Sequence, residues 1–215
     1  MLLEGLKMTL EVSILALLIA FFLGLLSCVM GMSAIKPVAW ISKIYIWIIR
    51  GTPFIVQLFI IKYGVPQLIK AAGAADFNMT IFQAAVLTLA LNAGAYMSEI
   101  FRGGIQAVDA GQMEAARSLG LPKSRAMIKV ILPQALRISI PALCNQFIIT
   151  LKDSSLAQVI GLPETFYQGK IYVGRTFKSF ETYILVGCVY LIIITILSYV
   201  IRRIERSMDY GKAKS

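Results

Sequence analysis

The chain has 215 residues, of which 58% are hydrophobic and 15% charged, and its mean hydropathy is +0.78. Soluble domains carry about 25% charged residues, so a soluble globule, a disordered chain and a collagen-like chain are all excluded, leaving an integral membrane protein with several spans. The net charge of +10 does not point to nucleic acid here, because membrane proteins concentrate Lys and Arg in their cytoplasmic loops.

Val12 to Ile35 is free of charge for 24 residues, long enough as a helix to cross a bilayer and too long for a signal peptide's apolar segment. This is span one, about 12–35. Residues 38–50, VAWISKIYIWIIR, are apolar but hold Lys43, Arg50, Trp40, Tyr45 and Trp47. That mixture predicts an elbow helix lying at the membrane surface. Thr52 and Pro53 read as a capping hydroxyl followed by proline at the first helical position. Span two follows over about 53–69, interrupted by Lys62, Gly64 and Pro66; a start inside the elbow is the alternative. Span three covers about 80–101 and span four about 139–160. Span five, about 182–201, is free of charge and ends in Arg202-Arg203.

Five spans place the two ends on opposite sides. Stretches 33–52, 102–137 and 202–215 hold 14 of the 21 Lys and Arg. The positive-inside rule then puts the N-terminus outside and the C-terminus in the cytoplasm. The fold class expected is all-α, one membrane domain over 1–215.

The 102–137 loop is expected to be cytoplasmic. AGQMEAARSLG favours a helix over Gln112–Leu119, stopped at Gly120. Pro122 opens a second short helix, which Pro133 is expected to break. Two short helices bury little by themselves and need a partner to dock against.

EAARSLG followed by ILPQAL resembles the EAA loop of permease subunits of ATP-driven (ABC) importers. RGTPFIVQLF, LNAGAYMSEIFRGGIQAV, LPQALRISIPALCNQFIITLKDSSLA and RRIERSM are similar to the polar amino-acid branch of that superfamily. The resemblance covers most of residues 50–160 and the C-terminus. It implies a type I ABC importer permease fold and a dimer with a second permease subunit, identical or related. It also implies two ATPase subunits that carry ATP and Mg, and an extracytoplasmic amino-acid-binding protein; this chain itself is expected to hold no cofactor or metal. The ATPase-coupling residues implied are Gln112, Glu114, Ala115, Ala116, Arg117, Gly120, Leu121 and Pro133. Ala115 and Ala116 would let backbones approach, Glu114 and Arg117 would pair with the partner or with each other at i,i+3, and Gly120 would allow a sharp reversal. No phosphate-binding GxxxxGK[ST] motif exists in the sequence.

Ionisable residues inside spans are costly and face a bundle interior or an aqueous path. Asn92, Tyr96 and Glu99 share one face of span three; Gln146, Thr150 and Asp153 share a face of span four, with Lys152 and Ser154 beside them. Together they predict a hydrophilic substrate path between the two spans. Glu99 or Asp153 would take an amine, and Asn92, Tyr96, Gln146 or Lys152 a carboxylate, with a basic or other polar amino acid as substrate. Two structural alternatives stand beside this: Lys152 pairs with Asp153, and Glu99 sits at the interface with Arg102.

The absence of histidine removes the commonest general base and metal ligand, and no catalytic cluster suggests an enzyme. Cys28, Cys144 and Cys188 lie in apolar runs without a CxxC pattern. A secondary transporter or a channel is the competing reading, but neither an inverted repeat nor a repeated filter segment is present.

Overall fold

The computed structural model describes residues 1–73 and 77–209, the last six by backbone alone. Residues 74–76 of the 70–80 connection and 210–215 of the basic C-terminal stretch lie outside the described residues.

Five helices are long and apolar enough to cross a membrane: α1 (Leu2–Gly31), α3 (Phe54–Ala71), α4 (Ile81–Gln106), α6 (Lys123–Ile160) and α8 (Ser179–Asp209). Between them lie α2 (Lys36–Gly51), α5 (Ala110–Ser118) and α7 (Thr165–Thr176). α2 corresponds to the expected elbow and is separate from the second span.

Helix α1 starts at Leu2, well ahead of the charge-free stretch, because its first turns pack on α7. A Cβ on Gly5 would lie 2.9 Å from the Thr165 Cα, and the hydroxyls of Thr9 and Thr165 are 2.8 Å apart. The side chain of Glu164 caps α7, accepting from the N–H groups of Phe166 and Tyr167, both at 2.7 Å, and from the Tyr190 hydroxyl of α8 at 2.8 Å.

α1 and α4 form the centre. Lipid gives helices no hydrophobic reason to associate, so close backbone approach through small residues decides the packing. A Cβ on Gly24 would lie 2.7 Å from the Met97 Cβ and 3.0 Å from the Gly94 carbonyl. One on Gly104 would collide with Ser139 and lie 2.7 Å from the Ala135 carbonyl, which sets the crossing of α4 and α6. Leu18, Phe22 and Leu26 of α1 and Leu191 and Ile196 of α8 are large apolar side chains left exposed by the bundle.

Several boundaries differ from the sequence reading. Thr52 does not cap α3: its hydroxyl donates back to the Ile48 carbonyl of α2 at 2.8 Å, and Pro53 is the N-cap rather than the first helical residue. Pro133 does not break the second helix of the loop, which runs on into span four as one 38-residue helix. A proline lacks the N–H for an i→i−4 bond and presses on that carbonyl. Here a wide turn over Met127–Ile131 comes first, and Leu132 donates to the Met127 carbonyl five residues back. Pro66 is accommodated in the same way in α3, where Val65 donates to the Ile60 carbonyl after a wide turn over Ile60–Gly64. In both helices the π turn absorbs the proline.

Candidate functional site

Three regions hold the residues singled out by the sequence. The first is the α5–α6 hairpin. Asp109 caps α5 by accepting from the Gly111 N–H at 2.7 Å, so the helix spans Ala110–Ser118, slightly ahead of the 112–119 expected. It ends in a Schellman turn: Leu121 N–H donates to the Ala116 carbonyl (3.1 Å) and Gly120 N–H to the Arg117 carbonyl (3.0 Å). Gly120 takes φ +85°, a conformation costly for any residue with a Cβ. The reversal lays α5 back on the first turns of α6, where Ala116 and Ala126 are buried. Gln134 of α6 spans the joint, donating to Gln112 Oε1 at 3.3 Å and to the Val130 carbonyl at 2.9 Å.

Glu114, Ala115, Arg117 and Gly120 are exposed, and Leu119 is 84% exposed at the tip; Leu121 is partly covered and Pro133 exposed. Glu114 and Arg117 make no ion pair among the described residues. Both charges therefore remain available to another molecule.

The second region lies where α2, α3 and α4 meet. Asn92, Tyr96 and Glu99 share a face of α4, as their spacing predicted. Asn92 Nδ2 donates to Gln57 Oε1 of α3 at 3.0 Å. Gln57 Nε2 donates to the carbonyls of Ile49 (2.7 Å) and Thr52 (3.0 Å) and to the Thr52 hydroxyl (2.9 Å). The amide of Gln57 thus ties the end of α2 to α3 and α4. Glu99 receives a bidentate fork from Arg102, at 2.9 and 2.8 Å, and a third contact from Arg50 Nη1 at 3.2 Å. The Arg50 guanidinium also stands 5.2 Å above the centre of the Tyr96 ring. With two arginines on one carboxylate the cluster carries excess positive charge, and guanidinium N–H groups already make three contacts to the Glu99 carboxylate. The Arg102 pairing anticipated at i,i+3 is present.

Arg50 and Gln57 were not singled out from the sequence. Their only signal is a cation and an amide inside the otherwise apolar RGTPFIVQLF stretch.

On α6, Gln146, Thr150 and Ser154 are buried, while Lys152 is exposed and Asp153 half-buried. Thr150 Oγ1 donates to the Gln146 carbonyl at 2.9 Å and Ser154 Oγ to the Leu151 carbonyl at 2.7 Å, so both hydroxyls are satisfied within their own helix. Lys152 and Asp153 do not pair with each other among the described residues. Nor does any hydrogen bond or ion pair among those residues join this face to the polar face of α4. A cavity of about 550 Å³ bordered by α1, α6 and α8 is apolar instead, lined by Leu17, Phe21, Phe147, Leu151 and Ile193.

The structure is thus a bundle of five helices long and apolar enough to cross a membrane, with a turned two-helix hairpin between the third and the fourth. Residues 10–210 match the family described as binding-protein-dependent transport system inner membrane component. The glutamine transport system permease protein GlnP of Escherichia coli (strain K12) is 39% identical over 97% of this chain and 93% of its own length. The arginine transport system permease protein ArtQ of Bacillus subtilis is 36% identical, over 96% and 91% respectively. A crystal structure of an amino acid ABC transporter with histidines superposes with TM-score 0.88 and 42% identity, over 96% of this chain and 93% of that one. An inward-facing MetNI methionine ABC transporter has the same fold at 22% identity, with TM-score 0.70 over 95% and 92%. The chain belongs to this family of inner membrane components, among its amino-acid ABC permeases.

Proposed function

We propose that the chain forms half of the translocation path of an amino-acid importer and couples that path to ATPase subunits through the α5–α6 hairpin. The observation that carries this reading is the hairpin itself. Its Schellman turn at Gly120 fixes the reversal, Gln112 and Gln134 join it to α6, and Glu114, Arg117 and Leu119 are left uncovered. Of the hairpin's tip residues, Leu119 is a large apolar side chain in water, as expected of a contact awaiting a partner. ATP and Mg would be held by the separate ATPase chains. Because α5 packs directly on the start of the long α6, a pull on the hairpin would tilt the fourth span.

The orientation expected from the charges, N-terminus outside and hairpin in the cytoplasm, places the hairpin where ATPases would reach it. A second permease subunit would complete the path. This fits the absence, among the described residues, of any hydrogen bond or ion pair between the polar faces of α4 and α6. An extracytoplasmic binding protein would deliver a basic or other polar amino acid; the relatives named for glutamine and arginine support that class. Within the path, the Arg50–Glu99–Arg102 cluster suits a substrate carboxylate, with Asn92 and Tyr96 beside it. Asp153 suits an amine or a cationic side chain, with Gln146, Thr150, Lys152 and Ser154 as its surroundings.

The test is Glu114→Lys in the permease–ATPase complex reconstituted in vesicles. Reversing the charge on the hairpin should leave the chain in the membrane but reduce ATP-dependent uptake at least tenfold. Normal uptake by a well-expressed Glu114→Lys complex overturns the coupling role.

A further inference from the structure

Helix α2 packs on α1 and α4. Ser42 packs on the last turns of α1, its hydroxyl 2.8 Å from that of Ser27, and Arg50 reaches Glu99 towards the end of α4. Ala39 and Ser42 are buried, and Tyr45 reaches the Leu91 carbonyl, so these residues mark the side that faces the protein.

Each residue of a helix turns by about 100°, so positions seven apart nearly coincide. Lys36, Lys43 and Arg50 therefore form one line of exposed cations. Trp40 (62% exposed) and Trp47 (77% exposed) form a second line next to it. Ile41, Ile44 and Ile48, all exposed, fill the sector beyond. The circuit runs from the packed side to the cations, then the tryptophans, then the isoleucines, and back. With the protein behind, one flank is cationic, the opposite flank aliphatic, and the indoles face outward between them. That order matches the layers of a membrane surface, where headgroups, interface and acyl chains succeed one another.

Arg50 is already occupied by Glu99 and Tyr96. Lys36 and Lys43 have no carboxylate partner among the described residues. Their charge is uncompensated by the protein, and a zwitterionic lipid brings no net charge to balance it. We propose that Lys36 and Lys43 make α2 a binding surface for anionic phospholipid headgroups. The inference rests on the chain spanning a membrane. It does not depend on which side is cytoplasmic or on what is transported.

Attraction of a lysine to an anionic lipid surface corresponds to an enrichment of about fivefold per residue. The two tryptophans of the sequence, Trp40 and Trp47, both lie on α2, so their fluorescence reports on this helix alone. The full chain is reconstituted in vesicles of mixed phosphatidylglycerol and phosphatidylcholine, with bromine on the acyl chains of one lipid at a time. At equal mole fraction, brominated phosphatidylglycerol should quench several-fold more effectively than brominated phosphatidylcholine. Raising the salt concentration should weaken the preference, and the Lys36→Gln/Lys43→Gln variant should reduce it to near parity. Equal quenching by the two lipids in the native chain overturns the proposal, whatever becomes of the variant. An undiminished preference in a variant with native tryptophan emission overturns the role of these two lysines. Uptake measurements do not enter the readout, so failure here is distinct from failure of the transport reading.

Discussion

Gly120 is the residue on which the hairpin's shape turns, and its substitution separates backbone geometry from contact. It has φ +85°, and a Cβ placed on it would meet nothing within 4 Å. Gly120→Ala therefore creates no clash, and its cost is confined to holding an L-residue in the left-handed region, about 1–2 kcal/mol. At 1.36 kcal/mol per tenfold, the opening of the Schellman turn becomes roughly tenfold more favourable. Gly103 is the control: it too has open space around its Cβ, but it lies in the regular body of α4. Gly103→Ala gains helix propensity of up to about 1 kcal/mol. Gly120→Pro is harsher, since it forbids the positive φ and deletes the N–H that bonds to the Arg117 carbonyl. Hydrogen exchange read at the amides of residues 116–121 should accelerate about tenfold in Gly120→Ala and remain native in Gly103→Ala. In reconstituted complexes, the amino acid imported per ATP hydrolysed should fall in the order native, Gly120→Ala, Gly120→Pro. Native exchange at these amides together with native coupling in Gly120→Ala would refute the reasoning, because the strain is then absorbed elsewhere or the turn carries no force.

Gly104→Val should separate α4 from α6, since even a Cβ collides with Ser139 and Ala135; a loss of about 1–3 kcal/mol would appear as a lowered melting temperature in detergent, while Gly187→Ala, with open space around it in α8, should not lower it. Asp153→Asn should raise the KM for a cationic amino acid about tenfold, near the worth of one hydrogen bond to a charged group; unchanged cationic uptake removes Asp153 from the path. Burial pushes the Glu164 carboxyl above its ordinary range, although the Phe166 and Tyr167 N–H groups and the Tyr190 hydroxyl pull it down. The folded protein then binds this proton more tightly than the unfolded chain, so the associated stability is full below the ordinary carboxyl pKa and is lost as pH rises through the raised value. Glu164→Gln should flatten that part of the stability–pH curve, and a curve of native slope would contradict the assignment.

What the sequence revealed follows from the range of the forces involved. The lengths of the apolar runs and the mixture of tryptophans and cations in residues 38–50 are local properties, and they located the long apolar helices and the separate helix α2. The reversal at Gly120 was also legible, because glycine followed by proline two residues on is a local backbone preference. Boundaries set by distant partners were not. The helix over residues 2–11 is held by Thr165 and Glu164 beyond the fourth span, and nothing near residue 2 announces them. Pro133 was read as a break because proline disrupts a regular α-helix, whereas a single i→i−5 turn before it removes both the missing bond and the clash.

The polar residues show the same division more sharply. Periodicity put Asn92, Tyr96 and Glu99 on one face, and they are on one face. Periodicity says nothing of what stands opposite. There the structure places Arg50, 49 residues away in sequence, and Gln57, 35 residues from Asn92. The consequence is chemical: the acid read as a receptor for an amine, or as a partner of Arg102, holds two guanidinium groups, and the region's excess charge is positive. Asp153 is then an acid of the fourth span that no ion pair among the described residues neutralises. Recognition of a zwitterion would need both signs, so the arginine cluster and Asp153 are the two places where mutation should separate carboxylate binding from amine binding.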